Sequence, residues 1–104
     1  MVEVSTSSSF DNWLRKLKDR QAAARILKRI ERLAAGNPGD VKPVGMGISE
    51  LRINLGPGYR VYFIREQDRL ILLLTGGDKS TQKEDIKTAL VIAETWRNQK
   101  GNQS

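Results

Sequence analysis

The stretch Glu50-Leu51-Arg52-Ile53-Asn54-Leu55-Gly56-Pro57-Gly58-Tyr59-Arg60-Val61-Tyr62-Phe63-Ile64 decides the reading of this chain. Two alternating runs flank a Gly-Pro-Gly turn. In a strand, successive side chains point to opposite faces. Leu51, Ile53 and Leu55 therefore share one face, and Glu50, Arg52 and Asn54 share the other. On the return run Tyr59, Val61 and Phe63 go to the apolar face. Arg60, Tyr62 and Ile64 go to the opposite one. A three-residue turn pairs Leu55 with Tyr59, which sets Asn54 against Arg60 and Arg52 against Tyr62. Cross-strand Cβ atoms lie about 4.5–5.5 Å apart. The expected hairpin thus has one core face and one face carrying two arginines, an asparagine and a tyrosine within mutual reach.

Outward from the hairpin, the flanking segments alternate between helix and strand patterns. Val2-Glu3-Val4 is a short strand. The hydroxyl run from Thr6 to Ser9 suits a helix cap. Phe10, Trp13, Leu14 and Leu17 recur at i, i+3, i+4 and i+7, one face of an amphipathic helix. A second helix from about Gln21 to Ala35 sets Ala23, Ile26, Leu27, Ile30, Leu33 and Ala34 on one stripe. Arg25, Lys28, Arg29 and Arg32 form its wet stripe. Gly36 stands where a glycine ends a helix, with Pro38 shortly after. Residues 37–47 read as a loop. Past the hairpin, Gln67-Asp68 marks a turn. Arg69-Leu70-Ile71-Leu72-Leu73-Leu74-Thr75 is apolar on both faces, as a central strand is. Gly76-Gly77-Asp78-Lys79-Ser80 reads as a loop. Thr81 and Glu84 match a capping box opening a last helix along Ile86, Ala89, Leu90, Ala93 and Trp96. The predicted order is β-α-α-β-β-β-α: one small α+β domain over residues 1–97, mainly antiparallel, with helices packed on one sheet face. Residues 98–104 form a polar tail.

Composition narrows the chemistry. The chain has 104 residues, 18 Lys plus Arg against 12 Asp plus Glu, and a formal charge of +6. A small basic domain suits nucleic acid or another polyanion; charge for solubility alone is the plain alternative. The chain has no Cys and no His. Disulfides and thiolate sites are excluded, and acid–base work falls to Lys, Tyr, Asp or Glu. No metal-ligand cluster, carboxylate pair or Ser-centred triad is visible, so no metal or cofactor is expected. No apolar run nears the roughly 20 residues that span a bilayer. The N-terminus lacks a signal-peptide pattern. A cytoplasmic protein with no membrane partner is the expectation.

Three groups of side chains carry candidate chemistry. Arg52 and Arg60 suit a phosphate, because guanidinium forks bind its oxygens bidentately; Asn54 and Tyr62 flank them. Surface arginines on a wet sheet face are the alternative. Lys79, with Asp78 and Ser80, precedes a helix N-terminus, where anions are favoured, and Lys83 follows one turn on. The segment is not a P-loop, since Gly-x-x-x-x-Gly-Lys-Ser/Thr is missing. The basic stripe of the second helix is either a solvated surface or a contact for RNA phosphates. Trp13 and Trp96 fall on apolar stripes and read as core.

The order of elements, together with Phe10-x-x-Trp13-Leu14-x-x-Leu17, Gly36-Asn37-Pro38-Gly39-Asp40, Glu50-Leu51-Arg52-Ile53, Gly56-Pro57-Gly58-Tyr59-Arg60-Val61-Tyr62-Phe63 and Gly76-Gly77-Asp78-Lys79-Ser80, resembles the RelE/HigB-type toxins of type II toxin–antitoxin systems, in the branch called addiction module killer proteins. The resemblance implies a RelE-like fold and a metal-free, ribosome-dependent mRNA endoribonuclease that inhibits translation. In that chemistry the ribose 2′-OH attacks the neighbouring phosphate and the 5′-oxygen leaves. It implies Arg60, Arg52 and Lys79 as catalytic residues; Asn54, Tyr62, Lys83, Asp78 and Ser80, by their places beside these three, are the expected RNA-binding ones. It implies as partners mRNA, the ribosome and a helix-turn-helix, HigA-like antitoxin. The chain departs from relatives that use histidines for proton transfer, and Asn54 stands where others have a lysine. A ParE-like gyrase inhibitor and a non-catalytic basic RNA- or protein-binding module are the alternatives.

Overall fold

The protein is described by a computed structural model covering residues 2–101. The elements are β1 (Glu3–Thr6), α1 (Ser8–Lys16), α2 (Arg20–Ala34), β2 (Val41–Gly45), β3 (Ile48–Ile53), β4 (Tyr59–Glu66), β5 (Leu70–Asp78), a 3-10 turn (Lys79–Thr81) and α3 (Gln82–Gly101). They build an α+β domain around one five-stranded mixed sheet of order β1-β5-β4-β3-β2. β1 runs parallel to β5, and the other pairings are antiparallel. β5 is interior, between β1 and β4, as its two-sided apolar pattern requires.

Local chemistry sets the helix ends. The Ser7 hydroxyl accepts from Phe10 N–H (3.0 Å) and caps α1. The Asp19 carboxylate accepts from Ala22 N–H (3.1 Å) and caps α2. At the far end of α2, Asn37 N–H donates to Arg32 C=O (2.9 Å) and Gly36 N–H to Leu33 C=O (3.2 Å). That pairing is a Schellman motif, and Gly36 at φ +91° supplies the left-handed residue it needs.

Five expectations are corrected. First, residues 41–45 form an edge strand rather than a loop. Gly45 pairs with Ile48 across Met46-Gly47, and both turn residues have positive φ (57° and 77°). That is the conformation of a tight hairpin turn, but Met-Gly is not its usual signature. Pro43 is tolerated because β2 is an edge strand. Second, the β3–β4 register differs by two residues. Ile53, not Leu55, pairs with Tyr59; Arg52 pairs with Arg60 and Glu50 with Tyr62. The connection is residues 54–58, held by Gly58 N–H donating to Leu55 C=O (3.1 Å). Leu55 packs on the core from the loop. Third, Gly76, Gly77 and Asp78 extend β5 instead of forming a loop. Fourth, the capping box pairs Asp78 with Thr81, not Thr81 with Glu84. Glu84 forms an ion pair with Lys87 instead.

The fifth correction bears most on the site. The helices do not share one sheet face. α1 and α2 cover the side of Leu51, Ile53, Tyr59, Val61, Phe63, Ile71 and Leu73. α3 covers the other, where Ala89 and Ala93 pack on Ile48, Tyr62, Ile64, Leu72 and Leu74. The face expected to be wet is therefore half core. Its apolar end lies under the middle of α3 and its charged end under the helix start. α3 continues through residues 98–101, and residues 102–104 lie outside the described residues. No helix among the described residues is long and apolar enough to cross a membrane.

Candidate nucleic-acid interface

The hairpin register puts Arg52 directly opposite Arg60, on the sheet face that α3 overlies. Like charges so placed repel. A third side chain on that face, Glu50, resolves the conflict. Its Oε1 lies 3.5 Å from Arg60 Nη1 and 3.8 Å from Arg52 Nε. Its Oε2 accepts from Gln82 Nε2 at 2.8 Å, which ties the first residue of α3 to the sheet. Side-chain exposure is 1% for Glu50, 8% for Arg60 and 37% for Arg52. The set is graded, from a buried carboxylate to a guanidinium that reaches solvent. Glu50 was not among the expected site residues. The signal was present, since it shares the alternating face with Arg52, but only the observed register makes it the centre.

The arginines are incompletely satisfied. Arg52 Nε and Arg60 Nε are buried with no hydrogen-bond acceptor among the described residues. The Tyr62 hydroxyl is buried too, beside Glu50 without a well-formed bond to it. Burial, then the Glu50 carboxylate, raises the Tyr62 phenol above its ordinary range. Tyr62 is fully enclosed, so α3 keeps its ring from any surface ligand.

Gly77 pairs with Arg60 on the next strand, on the same face. A Cβ at Gly77 would meet Asp85 Oδ2 at 1.8 Å. The Asp85 carboxyl of α3 thus occupies the space of the missing Gly77 side chain. Thr81 Oγ1 donates to it. Burial raises the Asp85 pKa, the Thr81 hydrogen bond opposes the shift, and Asp78 and Glu84 add to it. On the opposite face, a Cβ at Gly76 would meet the Trp13 ring at 2.3 Å. The two adjacent glycines therefore admit a carboxylate on one side and an indole on the other. Their role is close approach rather than a flexible loop.

The remaining expected residues lie around this centre. Lys79 is exposed in the 3-10 turn, one residue past the Asp78–Tyr59 rung, with its Cβ against Gly58. Lys83 is exposed on the first turn of α3. Asp78 is the cap of the 3-10 turn, accepting from Ser80 N–H (2.8 Å) and the Ser80 hydroxyl, so both have local structural partners. Asn54 is exposed in the loop and does not face Arg60. Of the basic stripe on α2, Arg29 donates to Arg52 C=O (2.9 Å) and Pro38 C=O (3.3 Å), which clamps α2 to β3. Arg25, Lys28 and Arg32 face solvent. A separate hollow of ≈ 450 Å³ lies between β1 and α3, lined by Ser5, Leu72, Val91 and Trp96, away from the arginines. No group of three His, Cys, Asp or Glu suited to a metal occurs among the described residues.

Residues 12–96 match the family of phage-derived Gp49-like proteins, DUF891. The chain belongs to the Gp49-like family. An uncharacterised protein of Haemophilus influenzae is 52% identical over 93 residues, covering 89% of this chain and 94% of its own. A conserved hypothetical protein of Helicobacter pylori, solved in solution, superposes with a TM-score of 0.48 at 20% identity, covering 77% of this chain and 97% of its own. Within the Gp49-like match fall the Arg52–Arg60 rung, Glu50, Gly76-Gly77 and Asp85.

Proposed function

We propose that this Gp49-like protein is the toxin of a toxin–antitoxin module and acts as an endoribonuclease on mRNA, on the ribosome. The observation that carries the reading is the Arg52–Arg60 rung, whose Arg52 guanidinium reaches solvent, in a domain of charge +6. Arg52, 37% exposed, presents its outer guanidinium N–H groups to a phosphate, and Arg60 below it adds positive charge. Lys79 and Lys83 stand exposed beyond the rung and supply sequence-independent attraction to the backbone. The association of the Gp49-like family with toxin–antitoxin systems, and its relation to RelE-like toxins, supports the same reading. In it, Arg60 and Arg52 stabilise charge on the phosphate as the 2′-oxygen attacks, and Arg is too weak an acid to transfer the proton itself. An antitoxin, with helix-turn-helix architecture by the resemblance noted above, masks the basic surface, and complementary charge speeds its docking.

A second reading has its own observation. Arg60 is buried and paired with Glu50, as a purely structural ion pair is, and a ParE-like gyrase poison would retain the fold without using the rung. Induced expression followed by mapping of mRNA 5′ ends separates the two. The nuclease reading expects new ends with the wild type and none with a folded Arg60→Ala. Growth arrest without new ends, together with loss of gyrase supercoiling, sinks it.

A further inference from the structure

We infer that Asp85 is the proton acceptor of the reaction, admitted by the absence of a side chain at Gly77 to a place over the strand that neighbours Arg60. The inference rests on the nuclease reading above and assigns a role that the arginines cannot fill. The chain has no histidine, so another group must take the 2′-hydroxyl proton. Glu50 is the carboxylate closest to both arginines, yet it is 1% exposed and its oxygens are already occupied by Arg60, Arg52 and Gln82. It holds the arginines and cannot meet a substrate. Lys79 is exposed and lies past the end of the β4–β5 ladder.

Asp85 differs from both. Its carboxyl lies over the Gly77 backbone, and Gly77 is the cross-strand neighbour of Arg60. Cross-strand positions are about 4.5–5.5 Å apart at Cβ. Asp85 is only half-buried, so a substrate reaches it. The Thr81 hydroxyl donates to Oδ2 and fixes the carboxyl while leaving Oδ1 free of any partner among the described residues. The charged and titratable groups that act on it are Tyr62 from β4, Asp78 at the end of β5 and Glu84 on α3. Burial raises the carboxyl above its ordinary range, against the Thr81 hydrogen bond and with the nearby Asp78 and Glu84, which makes it a stronger base than a free aspartate.

The step balances without a co-reactant. The 2′-oxygen forms a bond to phosphorus as its proton passes to Asp85. The P–O5′ bond breaks, and the 5′-oxygen takes a proton from water. The products are a 2′,3′-cyclic phosphate and a 5′-hydroxyl, and Asp85 returns its proton to solvent.

The test is single-turnover cleavage of a 5′-labelled mRNA programmed on ribosomes, between pH 5 and 9. It compares wild type with Asp85→Asn, Asp85→Glu and Gly77→Ala, each checked for folding by circular dichroism. Asp85→Asn is expected to slow cleavage by about 10²–10⁴-fold, with KM little changed. The wild-type rate is expected to rise with pH along an acid limb that Asp85→Asn lacks. Asp85→Glu is expected to restore part of the rate and the limb. Gly77→Ala, whose Cβ displaces the carboxyl, is expected to slow cleavage with Asp85 still present. A folded Asp85→Asn that cuts at the wild-type rate with the acid limb intact overturns the assignment and leaves the nuclease reading standing. A wild type that cuts nothing overturns both.

Discussion

Arg52 and Arg60 lie across one rung from each other, and that placement is tolerable only because Glu50 reaches both. Removing one partner of a buried ion pair leaves an uncompensated charge and costs about 3–5 kcal/mol. Glu50→Ala is therefore expected to destabilise the fold by about that amount in urea unfolding. Glu50→Gln, which keeps the shape and the Gln82 contact, is expected to cost less. Unchanged stability in Glu50→Ala would show that the arginines do not need it. Tyr62 and Asp85 both lower stability as pH rises, Tyr62 in the alkaline range and Asp85 in the acid range. The Tyr62 phenol is held above its unfolded value near 10, so the folded state keeps a proton that the unfolded chain releases. Its stabilisation is complete below pH ~10 and declines as pH rises beyond it. Tyr62→Phe is expected to remove that alkaline loss while keeping the ring's packing. The Asp85 pKa is also raised, so at neutral pH its charge opposes folding. Asp85→Asn is expected to raise Tm at pH 7. The gain should vanish at pH below the ordinary Asp range, where both states are protonated. A variant that is more stable and less active is the usual mark of a site residue; a Tm lowered at pH 7 would contradict it.

Among the elements, β5 joins fold to site. Its glycines let Trp13 and Asp85 approach the backbone from opposite faces. The two substitutions there have different expected costs. Gly76→Ala drives a methyl into a packed indole, and overpacking of this kind costs about 1–3 kcal/mol. Gly77→Ala meets the movable end of an aspartate, so Tm is expected to change little while activity falls. Thermal melts of the pair check this, and an equal loss of Tm in both would contradict it. The same strand marks how far the sequence could be read. The apolar run at 70–75, the caps at Ser7 and Gly36 and the helical periodicities are local signals, and the structure has them there except at Leu27, which is exposed while Ala22 takes a place in the core. The alternation of the hairpin placed side chains on the correct faces. The register was not legible, because a Gly-Pro-Gly turn suggests a short connection while the backbone uses residues 54–58. β2 was hidden by Pro43 and by a Met-Gly turn, and the path of α3 across the polar face has no local signature. Glu50 and Asp85 become visible only once register and that path are known.

At the scale of the whole molecule, two layers of helix sandwich a sheet whose α3 side is apolar toward one end and charged toward the other. The +6 charge is expected to make RNA association fall steeply with salt. Replacing Lys79 or Lys83 with Ala should weaken binding and lower the salt slope by about one unit each, as fluorescence anisotropy at several salt concentrations measures. A slope unaffected by both would move the nucleic acid to another face. The central claim is that the Arg52–Arg60 rung cuts mRNA. The most direct measurement is to incubate purified protein with ribosome-programmed mRNA and to identify the product termini by mass spectrometry. The expected result is a discrete cut leaving a 2′,3′-cyclic phosphate and a 5′-hydroxyl, abolished in folded Arg60→Ala. Intact mRNA with the wild type, or equal cleavage by Arg60→Ala, would contradict the account.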